Sequence, residues 1–341
     1  MKTVRHLSSR FRFETFGRHN RQGFTVVELL ASVAIAALLM SLLGAAIMAA
    51  RESARRMQCL SHLKQIGIAT HSYEGLHGKL PCSGTLAFRY LVDGLEGHPG
   101  NWSAPCSIDP CMNGPCPEIG DWKRPQVYLC PTDPLTSQTR RAVSYRFSSG
   151  LENMGGERGV SDGFGRADFS VVRMIGFRDV LDGLSTTAMT SEQLLAADVA
   201  ARTPGDAFMS LEPDVAARDP LRYHWEIPTA FTMPTGLDAL IAACDTQFTV
   251  PKPHFGGGWF NEGVRSFDHV RTPNTRSCYN PTQSGNTLRV GALSPPTSLH
   301  KGGVNLLMCD GSARFVSNGI DSRVWRASGT RSGGESQTIP Q

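Results

Sequence analysis

The sequence predicts an α+β fold: a long N-terminal helix, transmembrane and then amphipathic, packed on a large, mainly antiparallel β head with long loops. Three observations predict this fold. Residues 29–50 carry no charge, the apolar pattern continues beyond them with helical spacing, and the rest of the chain alternates short β-prone runs with segments rich in Gly and Pro. The predicted segments are a basic leader (1–23), the helix (24–75), the head (76–330) and a disordered polar tail (331–341).

The leader carries the basic excess of the chain. Residues 1–23 hold six Lys or Arg and one acid, Glu14, so their formal charge is +5, whereas the whole chain has +4. Positive charge beside a spanning helix marks the cytoplasmic side. We therefore predict a single-pass inner (cytoplasmic) membrane protein with its N terminus in the cytoplasm and its head in the periplasm or at the cell surface. The remainder is nearly neutral, so we predict no nucleic-acid partner.

The uncharged stretch from Leu29 to Ala50 is long enough to cross a membrane. A helix of its 22 residues would be about 33 Å long, close to the thickness of the hydrocarbon core of a bilayer. A secretory signal peptide is disfavoured, because its apolar core is shorter and its cleavage site follows that core. We predict that this segment lies in the membrane.

Directly before this stretch stand the residues Gly23 to Glu28, which read GFTVVE. They resemble the prepilin signal of type IV pilins and of type II secretion pseudopilins. The resemblance implies that a prepilin peptidase cuts between Gly23 and Phe24, that the new N terminus is methylated, and that Thr25 and Glu28 serve assembly. Glu28 would pair with the amine of an adjacent subunit, since a carboxylate deep in hydrocarbon costs about 2.5–3.5 kcal/mol. The alternative is a plain anchor with Glu28 at the level of the headgroups.

The helical pattern continues after the uncharged stretch. Residues 51–73 contain no Pro and one Gly, and apolar residues recur at intervals of four and three. Such spacing places them on one face, which we predict to pack on the head. Cys59, on this face, is predicted to be a buried core thiol. The face comprises Cys59, Leu63, Ile66, Thr70 and Tyr73.

The nine cysteines suit an oxidising compartment, which the predicted orientation provides. Cys106, Cys111, Cys116 and Cys130 lie in a Pro-rich segment with little apolar content, and we predict a disulfide cluster there. A metal site is the alternative. It is disfavoured because the gaps are loose for zinc and no His stands among these cysteines. We therefore predict no metal and no cofactor. The odd total leaves at least one thiol free or paired between chains.

Three segments of the head carry clear secondary-structure signals. Residues 185–191 are β-prone and follow a tight turn at Asp182 and Gly183. Residues 237–244 are a short helix candidate. Residues 303–316 predict a β-hairpin, in which Asp310 and Gly311 suit a two-residue type I′ turn with a positive φ at Asp310.

The C-terminal part supports a second resemblance. His300, nine residues, then Asp310 and Gly311 resemble the signature of a pilin-like family of planctomycete-type bacteria, a domain of unknown function (number 1559) whose members also begin with a prepilin motif. The resemblance implies a type IV pilin-like fold but no biochemical activity. Further segments that resemble this family are 55–67, 129–134, 179–192 and 273–278.

The signature residues His300 and Asp310 suggest a metal or catalytic pair, but strand geometry argues against it. An extended strand over 304–309 alone keeps them roughly 20 Å apart, because each residue advances the chain by about 3.3 Å. We therefore predict separate roles. Asp310 serves the turn, and His300 packs or hydrogen-bonds at the opposite end of the hairpin.

These features predict a pilin- or pseudopilin-like structural subunit, anchored or assembled through its N-terminal helix. The partners implied are the membrane, prepilin peptidase, and other pilin-like subunits or the secretion or pilus machinery. The alternative is a membrane-tethered protein that binds glycans or cargo through Trp225, Trp259 and Phe260. We predict no enzyme and no catalytic residue, because the motifs of hydrolases, zinc proteases and nucleotide-binding enzymes are missing and His224, Asp268 and His269 are isolated in the sequence.

Overall fold

The long helix predicted at the N terminus is present as α1 (Val26–His77). The chain divides into two compact units, residues 1–50 and residues 51–341. The boundary falls within α1, so each half of the helix is described with its own unit. The computed structural model describes residues 24–81, 88, 91, 95, 125–137, 143–151, 175–195, 219–227, 237–246, 251–253, 266–279, 292–334 and 338–340.

In the first unit, α1 presents apolar side chains on all sides. Leu29, Leu38 and Met48 are each more than half exposed, and none of the residues described before Ala50 is buried. Among the described helices, α1 is the one whose length and composition would allow it to cross a membrane. A helix that is apolar all round and not covered by the described residues of its own unit is suited to lipid.

In the second unit, α1 is amphipathic, as predicted. Cys59, Leu63, Ile66 and Thr70 are fully buried, and the hydroxyl of Thr70 donates to the carbonyl of Ile66 at 2.8 Å. The helix continues to His77 rather than ending at 75, because the left-handed Gly78 (φ 67°) closes its last turn. The main core packs this face against side chains from the sheet described next, among them Tyr145, Phe147, Met189 and Leu307.

The described strands of the second unit form two sheets. One has the order β5-β1-β2-β8-β9 and the other the order β4-β3-β6-β7, where the described strands are β1 (Tyr145–Ser148), β2 (Ala188–Glu192), β3 (Tyr223–Glu226), β4 (Pro251–Pro253), β5 (Ser266–Phe267), β6 (Ser277–Tyr279), β7 (Ala292–Leu293), β8 (Gly303–Met308) and β9 (Ala313–Ser317). Strands β1 and β5 are parallel, as are β3 and β6, and the other described pairs are antiparallel. The head is thus built from mixed sheets.

The predicted hairpin forms, but its turn differs from the prediction. Strands β8 and β9 pair with Leu307 opposite Ala313, so the connection is longer than two residues. The amide of Gly311 donates to the carbonyl of Met308 at 3.0 Å, and the positive φ (83°) falls on Gly311. Among the described non-glycine residues only Asn274 has a positive φ, so the type I′ prediction for Asp310 was wrong. The Asp310 carboxylate instead accepts from the amide of Ser312 at 2.8 Å.

The second sheet packs with a short helix. The predicted helix at 237–244 is present as α2 (Leu237–Thr246), and a disulfide joins its Cys244 to Cys278 on β6. Cys309, at the end of β8, is a free and buried thiol, and its burial raises its pKa.

Some described residues of the predicted tail contact the rest of the second unit. The carbonyl of Arg331 accepts from the amide of Leu181 at 2.6 Å, and Ile339 is buried in a core cluster with Trp325. Trp325 lies in the last helix, α3 (Ser322–Ala327). The polar composition of the tail concealed this single apolar anchor.

We expect a buried histidine in this second core to make the stability of the protein sensitive to acid. His269 stacks on Trp325 with ring centroids 4.1 Å apart, and its Nδ1 lies 3.0 Å from the carbonyl oxygen of Trp325. Burial lowers the pKa of His269 to about 3. Between roughly pH 3 and 6.5 the unfolded chain therefore binds a proton that the folded chain does not. The contribution of neutral His269 to the free energy of unfolding is fully present above this window. As the pH falls through the window, this contribution decreases by about 1.4 kcal/mol per pH unit.

We expect a His269→Phe variant, which retains an aromatic ring against Trp325, to lose this component of the acid sensitivity. The measurement is the free energy of unfolding of both proteins in denaturant at several pH values from neutral to mildly acidic. The wild-type value should fall more steeply than that of the variant below about pH 6.5. Parallel curves would show that His269 does not remain neutral in the folded state.

Candidate functional site

The predicted assembly residues at the N terminus form a reciprocal helix cap. The amide and hydroxyl of Thr25 donate to Glu28 Oε2 at 2.9 and 2.8 Å, and the Glu28 amide donates to Thr25 Oγ1 at 3.3 Å. This capping box satisfies donors that the first turn of a helix otherwise leaves without partners. Phe24, the predicted methylated residue, is 77% exposed, and Gly23 lies outside the described residues. Thr25 and Glu28 therefore start α1.

In the second unit, the signature histidine lies between two carboxylates. His300, just before β8, is buried. Its Nδ1 is 2.9 Å from Glu52 Oε1 on α1, and its Nε2 is 3.3 Å from Glu192 Oε1 at the end of β2. A protonated imidazole donates through both nitrogens, and two flanking carboxylates favour that form. His300 thus connects the helix to the sheet.

A disulfide between Cys59 and Cys130 lies against this histidine. Cys130 Sγ is 3.6 Å from His300 Nε2 and 3.7 Å from Glu192 Oε1. The disulfide corrects two predictions: Cys59 is not a free core thiol, and Cys130 does not pair within the predicted cluster. The other members of that cluster, Cys106, Cys111 and Cys116, lie outside the described residues.

A buried aspartate holds the segment that carries Cys130. Asp133 accepts from the amide of Leu135 at 3.1 Å, from the amide of Leu195 at 2.9 Å, and from Arg222 Nη1 at 2.9 and 3.0 Å. Leu195 lies three residues beyond the end of β2. Asp133 therefore fixes the turn after Cys130 to the chain leaving the strand that carries Glu192.

The buried carboxylate of Glu192 is fully engaged. Its Oε2 accepts from the amide of Asn305 at 3.0 Å, and its Oε1 accepts from Asn305 Nδ2 at 2.8 Å and faces His300. A buried charge is tolerated when it is both paired and hydrogen-bonded. Asn305 is on β8, the neighbour of β2 in the sheet, so the pairing of these strands places both groups at one point.

The side chains around His300 form one group, the His300 cluster, which consists of Glu52, Cys59, Cys130, Glu192, His300 and Asn305. The charges in this cluster favour a protonated His300. Burial alone lowers the pKa of His300, but its hydrogen bonds and charge interactions with Glu192 and Glu52 raise it above the ordinary value overall. For Glu52, burial raises the pKa, whereas His300 and Arg55 lower it, and the net shift is downward. Arg55 Nη2 forms an ion pair with Glu52 at 2.7 Å.

The two signature residues have separate contacts, as the strand geometry predicted. His300 contacts Glu52, Glu192 and Cys130, whereas Asp310 is exposed in the hairpin turn at the other end of β8. The amide of Asp310 also donates to the carbonyl of Leu184 at 2.9 Å.

Sequence reasoning missed the partners of His300. Glu52 stands seven residues before Cys59, which is two helical turns, so it shares the face of α1 that carries the disulfide. That spacing could have identified Glu52. For Glu192 and Asn305 the sequence offers no comparable signal, since their meeting depends on the register of β2 and β8.

The aromatic residues of the alternative binding hypothesis are only partly described. Trp225 is half-buried, its Nε1 donates to the carbonyl of Pro220 at 3.3 Å, and Arg276 lies over its ring. Trp259 and Phe260 lie outside the described residues. A glycan-binding surface therefore stays a prediction.

Comparisons with known proteins find a family match for the N-terminal segment and another for most of the rest of the chain. Residues 48–323 match the family described as "Protein of unknown function (DUF1559)", and residues 18–44 match the "Prokaryotic N-terminal methylation motif". No curated protein and no solved structure matches the chain. The first match covers most of the chain and contains the whole His300 cluster, and the second contains the capping box of α1. The chain therefore belongs to the DUF1559 family, as a prepilin-type protein with an N-terminal methylation motif.

Proposed function

We propose that this protein is a pilin- or pseudopilin-like structural subunit with a type IV pilin-like architecture. Prepilin peptidase would process it, and α1 would anchor it in the membrane or assemble it with other pilin-like subunits or the secretion or pilus machinery. The head would lie outside the cytoplasm. One observation carries the proposal: the GFTVVE motif directly precedes a helix whose first half is apolar and exposed on all sides.

The exposed first half of α1 requires a covering that the described chain does not supply. Its side chains at Leu30, Val33 and Leu42 are each 59–66% exposed. Burial of apolar surface stabilises by about 25 cal/mol per Å², so side chains of this kind favour lipid or the matching helices of other subunits over water. Lipid would surround this half of α1 before assembly, and the helices of other subunits would surround it afterwards.

The arrangement of Thr25 and Glu28 adds detail to the assembly step. Cleavage after Gly23 would make Phe24 the first residue, so the new amine would lie close to the Glu28 carboxylate in sequence. Within the single chain, that carboxylate is held by Thr25. Assembly would then exchange a local capping bond for an ion pair with a neighbouring subunit. The proposal assigns no catalytic activity to the head.

The first test concerns processing. We expect the mature protein to begin with N-methylated Phe24, which N-terminal sequencing and mass spectrometry of the membrane fraction would detect. A Gly23→Leu variant should remain uncleaved, because the peptidase would have to accept a branched side chain at the cut. A matched Gln22→Leu variant should be processed normally. A mature N terminus at Met1, or a cut after Ala50, would refute the proposal.

The second test separates assembly from helix capping. We expect Glu28→Ala to insert normally, since it removes a charge, but to lose most of the subunit crosslinks that the wild type forms in membranes. Thr25→Ala is the matched control, because it removes the capping hydrogen bonds of the hydroxyl and keeps the carboxylate. If both variants lose crosslinks equally, assembly depends on the capping box that Thr25 and Glu28 form together, and not on the Glu28 charge alone. If neither loses them, the plain-anchor interpretation holds.

A further inference from the structure

Four side chains of the His300 cluster could together act as ligands of one metal ion. These are Cys59 from α1, Cys130 from the segment just before Asp133, Glu192 from β2 and His300 from the segment before β8. One ligand atom of each lies within 4.8 Å of the others, and all four residues are buried. Four distant parts of the chain thus converge on a single point.

Three of the six separations among these atoms match edges of a zinc tetrahedron. With Zn–S of about 2.3 Å and Zn–N or Zn–O of about 2.0–2.2 Å, a tetrahedral site has S–N and S–O edges of about 3.5 Å and an N–O edge of about 3.4 Å. The corresponding distances are 3.6 Å for Cys130 Sγ to His300 Nε2, 3.7 Å for Cys130 Sγ to Glu192 Oε1, and 3.3 Å for His300 Nε2 to Glu192 Oε1. Of the other three edges, the S–S edge is the disulfide itself, and the two edges from Cys59 Sγ to His300 and to Glu192 are each within 4.8 Å.

The hydrogen-bond partners of His300 and Glu192 also resemble those of metal ligands. A metal-bound histidine usually donates its other ring N–H to a carboxylate, which fixes the ring and raises its basicity. His300 Nδ1 makes this contact with Glu52 at 2.9 Å. A ligating carboxylate is likewise held by hydrogen bonds, and Asn305 provides two of them to Glu192.

We propose that, when the Cys59–Cys130 disulfide is reduced, Cys59, Cys130, Glu192 and His300 bind one divalent metal ion of the Zn²⁺ type in a closed tetrahedral site. Thiolate and imidazole ligands favour Zn²⁺ over Ca²⁺ or Mg²⁺, which take oxygen ligands. The disulfide and the metal would then be alternative ways of joining α1 to the sheet at the same place.

The reaction balances with a dithiol as the reductant. The dithiol gives two electrons and two protons to the Sγ–Sγ bond and closes to its own disulfide, so that Cys59 and Cys130 become thiols. On metal binding both thiols and His300 Nε2 release their protons to solvent, since ligands bind deprotonated. The sulfurs then lie about 3.8 Å apart, as tetrahedral Zn–S distances require.

The test uses the full-length chain in detergent, unfolded and reduced with a dithiol, then freed of dithiol and denaturant without oxygen. The probe is Co²⁺, whose bonds to thiolates give a charge-transfer absorption. We expect one Co²⁺ per reduced chain, displaced by Zn²⁺, and no such signal in the oxidised chain. Cys59→Ser and His300→Ala should abolish or greatly weaken the signal. The double variant Cys244→Ser, Cys278→Ser is the matched control and should retain it.

Glu52 is inferred to be a positioning residue, and its variant refines the test. Glu52→Gln should keep the absorption spectrum but weaken Co²⁺ affinity by about 10–100-fold, the usual effect of losing a partner of a metal-bound histidine. Equal signals in wild type and Cys59→Ser would assign the metal to other thiols and overturn the proposal. Equal binding by the oxidised chain would also overturn it.

A measurement on the wild type alone covers variants that fail to fold. The reduced chain is alkylated with and without Zn²⁺, and the modified cysteines are located by mass spectrometry. Zn²⁺ should slow alkylation of Cys59 and Cys130 together by at least about tenfold, since only a free thiolate is the nucleophile. It should leave Cys244 and Cys278 unchanged. Identical alkylation of Cys59 and Cys130 under both conditions would show that no metal binds there.

Discussion

His300→Ala is expected to destabilise residues 51–341 of the disulfide-bonded protein by about 3–5 kcal/mol, because it leaves a buried carboxylate without its cation. Glu192 is 2% exposed, and among the described residues it would retain the hydrogen bonds from Asn305. The measurement is equilibrium unfolding of the detergent-solubilised chain in denaturant, followed by the fluorescence of its tryptophans, of which Trp325 is fully buried.

The other signature residue provides the control. Asp310→Asn keeps a side-chain oxygen that can accept from the Ser312 amide, and the site is exposed. We therefore expect a change within about 0.5 kcal/mol, as for most surface substitutions. Equal destabilisation by the two variants would mean that the signature acts as one unit, contrary to their separate contacts. A neutral His300→Ala would show that the contact between His300 and Glu192 contributes nothing to stability.

Gly303→Ala is expected to give the second large effect, since it places a methyl group where two strands meet. A Cβ at Gly303, the first residue of β8, would lie 2.0 Å from the carbonyl oxygen of Val316 and 2.8 Å from Phe315 Cζ on β9. The nearer obstacle is backbone, which cannot rotate away as a side chain can. We expect a loss of about 3 kcal/mol, at the upper end of the range for overpacking, in the same unfolding assay.

A second glycine of the same hairpin region gives the matched comparison. The nearest atom to a Cβ at Gly319 is Ser317 Oγ at 3.8 Å, which is an ordinary van der Waals contact. Gly319→Ala should therefore leave the free energy of unfolding almost unchanged. If Gly303→Ala is equally well tolerated, β8 and β9 are not paired at Gly303 in solution.

The sequence predicted those elements whose signal is local. The uncharged stretch and the spacing of Cys59, Leu63 and Ile66 predicted both halves of α1, because helix geometry links residues three and four apart. The hairpin strands were also predicted, but their turn was not. Asp-Gly suits a type I′ turn, yet the longer connection from Cys309 to Ser312 places the left-handed residue at Gly311.

The candidate site in the head could not be predicted in the same way. His300 and Glu52 are 248 residues apart, and Cys59 and Cys130 are 71 residues apart. Cysteine pairing is not encoded by spacing, and a histidine shows no sign in sequence of the carboxylates it will meet. Resemblance to a family supplied the segments that form the site, but only the tertiary fold brings them together.

The Cys59–Cys130 disulfide also determines how the protein responds to tension. A pulling force applied through residues 24–50 enters the second unit at Arg51, two helical turns before Cys59. Without a crosslink, such a force would separate α1 from the sheet turn by turn, starting at Arg51. Each step would break only the few contacts of one turn. The covalent bond instead diverts the load at Cys59 into Cys130. The helix beyond Cys59, with the core that it covers, is therefore shielded from the force.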